Sequence, residues 1–215
     1  MTAFAIGGAI RYALWKYGLI VAENDQLVLA CAAVLAFWLG GFLLFYGSVA
    51  FRNCLFPLMF MVLAIPIPDR LMEEFVRLLQ TGSSDLVSVL FTLTGTPVYR
   101  QSRNVFALPT VTIEVAEACS GIRSTLTMLI ITLLAAHLSL RSNWKKIALL
   151  ASVIPVSLFK NAVRIVTLTL LAIHYDMSFL SGSLHNDGGV VFMMGGLFLL
   201  YPILIILVRS EGVRS

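Results

Sequence analysis

Long apolar runs separated by short polar ones set the plan of this chain. About 20 consecutive apolar residues cross a bilayer as a helix. Segments at roughly 3–22, 27–49, 54–67, 122–140, 147–173 and 189–208 read that way. The first carries Arg11 and Lys16 inside its apolar run, and no small-residue cleavage site follows, so it does not read as a signal peptide. The third is short and stops at Pro66-Ile67-Pro68, where proline cannot continue a helix. The region at roughly 69–118 differs in character. Over 70–80, Leu71, Phe75, Leu78 and Leu79 recur at helical period against Arg70, Glu73, Glu74 and Arg77, which predicts an amphipathic helix lying in the membrane interface. Residues 84–95 are apolar and fit more than one element. Val98 to Val115 is rich in β-branched residues and interrupted by Pro109, which predicts a small extended or hairpin element outside the membrane. A Gly/Ser/Asp-rich loop from Tyr175 to Gly189 joins the last two segments.

The expected fold class is therefore an all-α integral membrane protein. It has about six transmembrane helices, with an interfacial helix and a small extended element on the outer side. Residues 1–215 make one multi-pass membrane domain, in which 69–118 is an interfacial, extracytoplasmic insertion. Composition agrees: 59% of residues are hydrophobic and 12% charged, with mean hydropathy +0.93, whereas a soluble domain is nearer half apolar and a quarter charged. The net charge of +4 forms no basic face of the kind that binds nucleic acid. Cys31, Cys54 and Cys119 make no disulfide framework, and no paired Cys/His spacing suggests a metal or cofactor site. Cys31 and Cys54 lie in apolar runs and read as small buried hydrophobes.

Charge placement orients the chain. Lys and Arg collect in cytoplasmic loops. Arg52, the group Arg141, Lys145 and Lys146, and the tail residues Arg209 and Arg214 all fall on one side of a six-span topology. Glu23, Asp25, Asp69 and the 175–189 loop then lie outside, as do Arg100 and Arg103 against the rule. Cys119 precedes the fourth segment and His185 precedes the sixth, both at outer ends. Arg164 lies about nine residues short of the outer end of the fifth, roughly 13 Å at 1.5 Å per residue.

These residues are the ones with chemistry to offer. Cys119 sits in Glu117-Ala118-Cys119-Ser120-Gly121-Ile122-Arg123, ahead of a helix start whose N–H groups favour a thiolate. A passive apolar cysteine is the competing explanation. Asn161 and Arg164 are three apart inside an apolar helix and share a face. An intramembrane arginine has a partner or a wet cavity, so Arg164 reads equally as a functional cation or as half of an ion pair with Glu114 or Glu117. His185, in a polar Gly-rich loop, is placed for proton transfer; a solvated loop histidine is the plainer explanation. His174 is a weaker candidate, and His137 falls at the cytoplasmic end of its helix. A cysteine, a histidine base and an arginine together suit acyl transfer.

Four blocks, in order, resemble the exosortase/archaeosortase family of membrane transpeptidases. They are Phe56-Pro57-Leu58 to Ile65-Pro66-Ile67-Pro68, Glu114 to Ser124, Asn161-Ala162-Val163-Arg164-Ile165, and His185 with Gly188-Gly189, together spanning roughly 50–208. The resemblance implies a bacterial-type catalytic set of Cys119, Arg164 and His185, supported by Glu117, Ser120, Gly121, Arg123 and Asn161, in a core at 114–190 with no cofactor. It implies a substrate anchored in the same bilayer by a C-terminal sorting signal: a short motif such as Pro-Glu-Pro, a helix and a basic tail. The thioacyl product passes to an amine or surface acceptor, or to water. The expected setting is the bacterial cytoplasmic (inner) membrane, with the site on the extracytoplasmic side. Longer members carry further N-terminal segments and an aromatic-Ser-His-Gly pattern without counterpart here, and a glycine expected near Arg100 to Asn104 is absent. The alternative from another class is a non-catalytic transporter or assembly subunit, in which Arg164 and a carboxylate form a structural pair and Cys119→Ala would be tolerated.

Overall fold

The computed structural model describes residues 22–108, 112–114, 121–176 and 189–212. The predicted first segment lies outside them. The chain divides into two compact units between Glu74 and Phe75.

In the first unit, helix α1 (Glu23–Asn53) is 31 residues long with none buried against protein, as suits a helix whose surroundings are lipid tails. It is interrupted at Gly47, whose φ of 78° and ψ of 171° suit glycine alone. Trp38, Phe42 and Tyr46 stack along it, with ring centroids 5.8 and 4.8 Å apart. The predicted third segment is shorter and more broken than expected: helix α2 (Leu55–Phe60), then a 3-10 turn (Met61–Ala64). Pro66 and Pro68 end it as predicted. The Pro-Ile-Pro turn is pinned to the start of α1, since Asn24 Nδ2 donates to Ile67 O at 2.9 Å and to Asp69 Oδ1 at 2.7 Å. The Asp69 amide in turn donates to Asp25 Oδ1 at 3.0 Å.

Helix α3 (Asp69–Leu93) begins at this turn. It contains the predicted amphipathic stretch and also the ambiguous residues after it. The polar run Gly82-Ser83-Ser84-Asp85 does not break the helix, because it is a packing surface: Ser83, Ser84, Val87 and Phe91 are buried.

Three antiparallel strands follow, β1 (Tyr99–Arg100), β2 (Val105–Ala107) and β3 (Thr112–Glu114), in the order β1-β2-β3. This is the expected extended element. Phe106 stands opposite Arg100 on one side and Ile113 on the other. Arg100 lies over the Phe106 ring at 5.6 Å and pairs with Asp85 of α3 at 2.9 Å. Ser84 donates to Asn104 Oδ1 at 3.1 Å, holding the β1–β2 turn to α3.

The remaining helices are α4 (Ile122–Ser139), α5 (Asn143–His174) and α6 (Gly189–Gly212). They match the last three predicted segments. Both α4 and α6 run antiparallel to α5, the first joined to it by the short connection at residues 140–142. Met128, Val153 and Leu200 form one layer, and Ala136, Leu140 and Leu149 with Leu204 and Leu207 the next. At the loop end, Glu211 accepts from the amides of Arg141 (3.0 Å) and Ser142 (2.9 Å). Lys145 donates there to Ser210 at 2.8 Å. In all, four described helices are long and apolar enough to cross a membrane, or five if α2 and the 3-10 turn with α3 count as one bent span.

Length distinguishes α5. Its 32 residues extend about 48 Å, whereas the 18 of α4 extend about 27 Å. The excess, beyond Asn161, is clothed by the second-unit part of α3 and by the sheet: Val87, Phe91, Phe106, Leu108 and Ile113 pack on Ala162 and Val166. Phe106 has no exposed surface. Phe106→Ala is expected to cost roughly 3–5 kcal/mol, read as a lowered melting temperature in detergent.

Candidate active site

Cys119, with Glu117 and Ser120, lies outside the described residues, as does His185. What the structure describes is the ground on either side of them. β3 precedes the cysteine segment, and its Ile113 is buried in the same hydrophobic cluster as Ala162 and Val166 of α5. Gly121 follows it and meets α5 again. A Cβ placed on Gly121 would stand 2.9 Å from Asn161 Oδ1, 3.2 Å from Asn161 Cγ and 3.6 Å from Lys160 Nζ. Of the described residues that flank segment 115–120, Gly121 thus lies against Asn161, three residues before Arg164 on α5.

Gly121 is the N-cap of α4, with φ 72° and ψ 17°, a left-handed conformation that costs other residues about 1–2 kcal/mol. Its carbonyl accepts from Ser124 Oγ and Thr125 Oγ1, both at 2.9 Å. Gly121→Ala therefore combines backbone strain with a collision on a buried amide. It is expected to lower the melting temperature and the activity together. Adding Asn161→Ala should recover the steric part and leave the backbone cost, which a thermal double-mutant cycle would resolve.

Asn161 is 1% exposed and donates from Nδ2 to Ser83 Oγ of α3 at 3.1 Å. It therefore joins α3 to the start of α4. Arg164 is half-buried, one turn further along the face that Asn161 begins. Gly121 lies level with Asn161, so Arg164 stands about 5 Å beyond the start of α4. Counted from the end of α5, Arg164 lies ten residues in, about 15 Å, close to the roughly 13 Å expected, while the neighbouring span α4 starts level with Asn161. Arg123 points away, exposed on the outer side of α4.

Gly196 of α6 sits level with Lys160: a Cβ there would lie 2.8 Å from Met128 Cε and 3.3 Å from Lys160 Cδ. Seven residues earlier α6 begins at Gly189, about 10 Å higher and so above Arg164. His185 precedes that start by four residues.

The competing histidines are elsewhere. His137 is near the far end of α4, about 22 Å from Ile122. His174 is ten residues past Arg164, about 15 Å along α5. Its Nδ1 is 2.9 Å from Leu170 O, and it borders a cleft of about 430 Å³ shared with Thr94, Thr96 and Pro97. Cys31 and Cys54 are half-buried, in α1 and at its C-cap.

The residue that sequence reasoning left unplaced is Lys160. It is 5% exposed, and its ammonium donates to Ser124 Oγ. The available signal was its spacing: four before Arg164, hence on the same face.

No curated protein and no solved structure matches the chain. The sequence model of one family, described as transmembrane exosortase, matches residues 1–202, extending the resemblance to the first residue given. With that match over nearly the whole length, and with its several apolar helices, the chain belongs to the transmembrane exosortase family.

Proposed function

We propose that this protein is a membrane-embedded cysteine transpeptidase. It removes C-terminal sorting signals of the Pro-Glu-Pro type from surface-destined proteins held in the same bilayer. The observation that supports this most directly is the close approach of Gly121, the residue after segment 115–120, to Asn161 of α5, with Ile113 before the segment in the same hydrophobic cluster as Ala162 and Val166. Cys119 is two residues before Gly121 in the chain.

In the reaction, His185 takes the thiol proton and the Cys119 sulfur attacks the scissile carbonyl carbon. The Arg164 guanidinium balances the negative charge that develops on the carbonyl oxygen. Collapse breaks the C–N bond, and the proton on His185 goes to the leaving amine. The departing helix leaves a thioester on Cys119. An acceptor amine, or water, then attacks it, gives its proton to His185 and regenerates the thiolate. Glu117 and Ser120 act as neighbours of the set. Sharing one bilayer raises the effective concentration of the substrate without tight binding.

Basic residues Arg141, Lys145, Lys146 and Arg209 gather at the end of the bundle opposite Gly121. Because such residues face the cytoplasm, this supports a site on the extracytoplasmic side of the bacterial inner membrane.

The test is a trapping assay. Membranes holding the protein are mixed with a tagged sorting-signal protein, and a hydroxylamine-sensitive adduct is sought by gel shift. An adduct in wild type that Cys119→Ala abolishes is the expected result. Cleavage that survives Cys119→Ala would overturn the reading.

A further inference from the structure

We propose that Lys160 is a positioning residue for this reaction: it fixes the start of α4 and adds a second positive charge, beside Arg164, where the anionic intermediates form. The inference rests on the transpeptidase reading above.

A lysine only 5% exposed within an apolar helix needs a reason, since burying its charge is costly and lysines are seldom fully buried. The usual escape is for the long stem to carry the ammonium out to the interface. Here the stem is directed inward instead. Its Cδ lies against Gly196 of α6, where a side chain would leave too little room. Its Nζ reaches α4 and donates to Ser124 Oγ, which donates to Gly121 O at 2.9 Å. That relay ends on the residue from which the cysteine segment departs. The same Nζ stands 3.6 Å from where a Gly121 Cβ would be.

Three helices thus cooperate: α6 supplies the space, α5 the cation and α4 the acceptor. Lys160 and Arg164 are one turn apart, so their potentials add on one face. A cation near a thiol lowers its pKa.

The other charged groups around this face are few. On α3, Asp85 is engaged with Arg100, while Glu74 and Arg77 lie further back along the helix. On α4, Arg123 points outward and His137 is at the far end. On α5, Lys145 and Lys146 are at the opposite end, and α6 carries no charged residue from Gly189 to Val208. Glu114, Glu117 and His185 complete the set in sequence.

The experiment uses the full chain in proteoliposomes, with Cys31→Ala and Cys54→Ala so that Cys119 is the one thiol. Iodoacetamide alkylation is followed against pH, and turnover is measured on a sorting-signal substrate. Lys160→Met is expected to raise the alkylation midpoint by about one pH unit and to lower kcat by about 10- to 100-fold at unchanged KM. Lys160→Arg should restore the midpoint and most of the rate. A folded Lys160→Met with an unchanged midpoint and kcat overturns the proposal. If Lys160→Met does not fold, Ser124→Ala decides: a kcat equal to wild type there overturns the positioning role. Failure of the transpeptidase reading is separable. In that case Cys119→Ala would leave cleavage intact, while the alkylation midpoint would still respond to Lys160→Met.

Discussion

Cys119→Ala is expected to lower turnover of a sorting-signal substrate by at least about 10⁴-fold, because without the sulfur no covalent intermediate forms. Binding and oxyanion stabilisation alone leave only a small residual rate over water. The melting temperature should stay within a few degrees. The reason is structural: the anchors of the cysteine segment are Ile113 and Gly121, and their packing on α5 does not require the thiol. Turnover and thermal unfolding measured on one preparation check both halves. Cys119→Ser should fall near the alanine variant, since a hydroxyl is far less acidic and the site is suited to a thiolate.

Arg164→Gln is expected to cost about 10²- to 10³-fold in kcat, or roughly 3–4 kcal/mol of transition-state stabilisation. KM should change little, because the charge it opposes exists only after attack. The steady-state split between kcat and KM is the measurement. If Arg164 instead served as half of a buried interhelical ion pair, the same change would destabilise the fold by roughly 3–5 kcal/mol, and the deficit would appear as lost protein. Arg164→Lys should recover part of the rate, since a point charge replaces a planar fork of donors. In the trapping assay, Arg164→Gln and His185→Ala should still form the adduct, but slowly.

Much of this architecture was legible before any coordinates. The last three helices follow from uninterrupted apolar runs, and the helix break at Pro66-Ile67-Pro68 follows from proline chemistry. The sheet follows from β-branched residues punctuated by a proline. The length of α3 was not legible. Gly82-Ser83-Ser84 has the composition of a loop, and only the presence of Leu158 and Asn161 opposite makes it a helical contact surface. The surroundings of Arg164 were not legible for a related reason: apolar length does not say which neighbours bury a helix, and the outer third of α5 shares a hydrophobic cluster with α3 and the sheet. Lys160 was ambiguous because a flexible stem can carry its charge either way. Its ammonium is found on Ser124 Oγ of α4. The spacing of Asn161 and Arg164 did not reveal that Asn161 donates to Ser83 of α3 and lies against Gly121 at the start of α4.

The unequal lengths of α4 and α5 give the molecule a built-in ruler. From the basic end of the bundle to Gly121 is the length of α4, about 27 Å, close to the thickness of the hydrocarbon layer. A helix lying alongside, with its own basic tail held at the same surface, brings a given backbone position level with Gly121 by residue count. On the proposed reading, such a helix would meet the site at a height set by its length and not by its side chains.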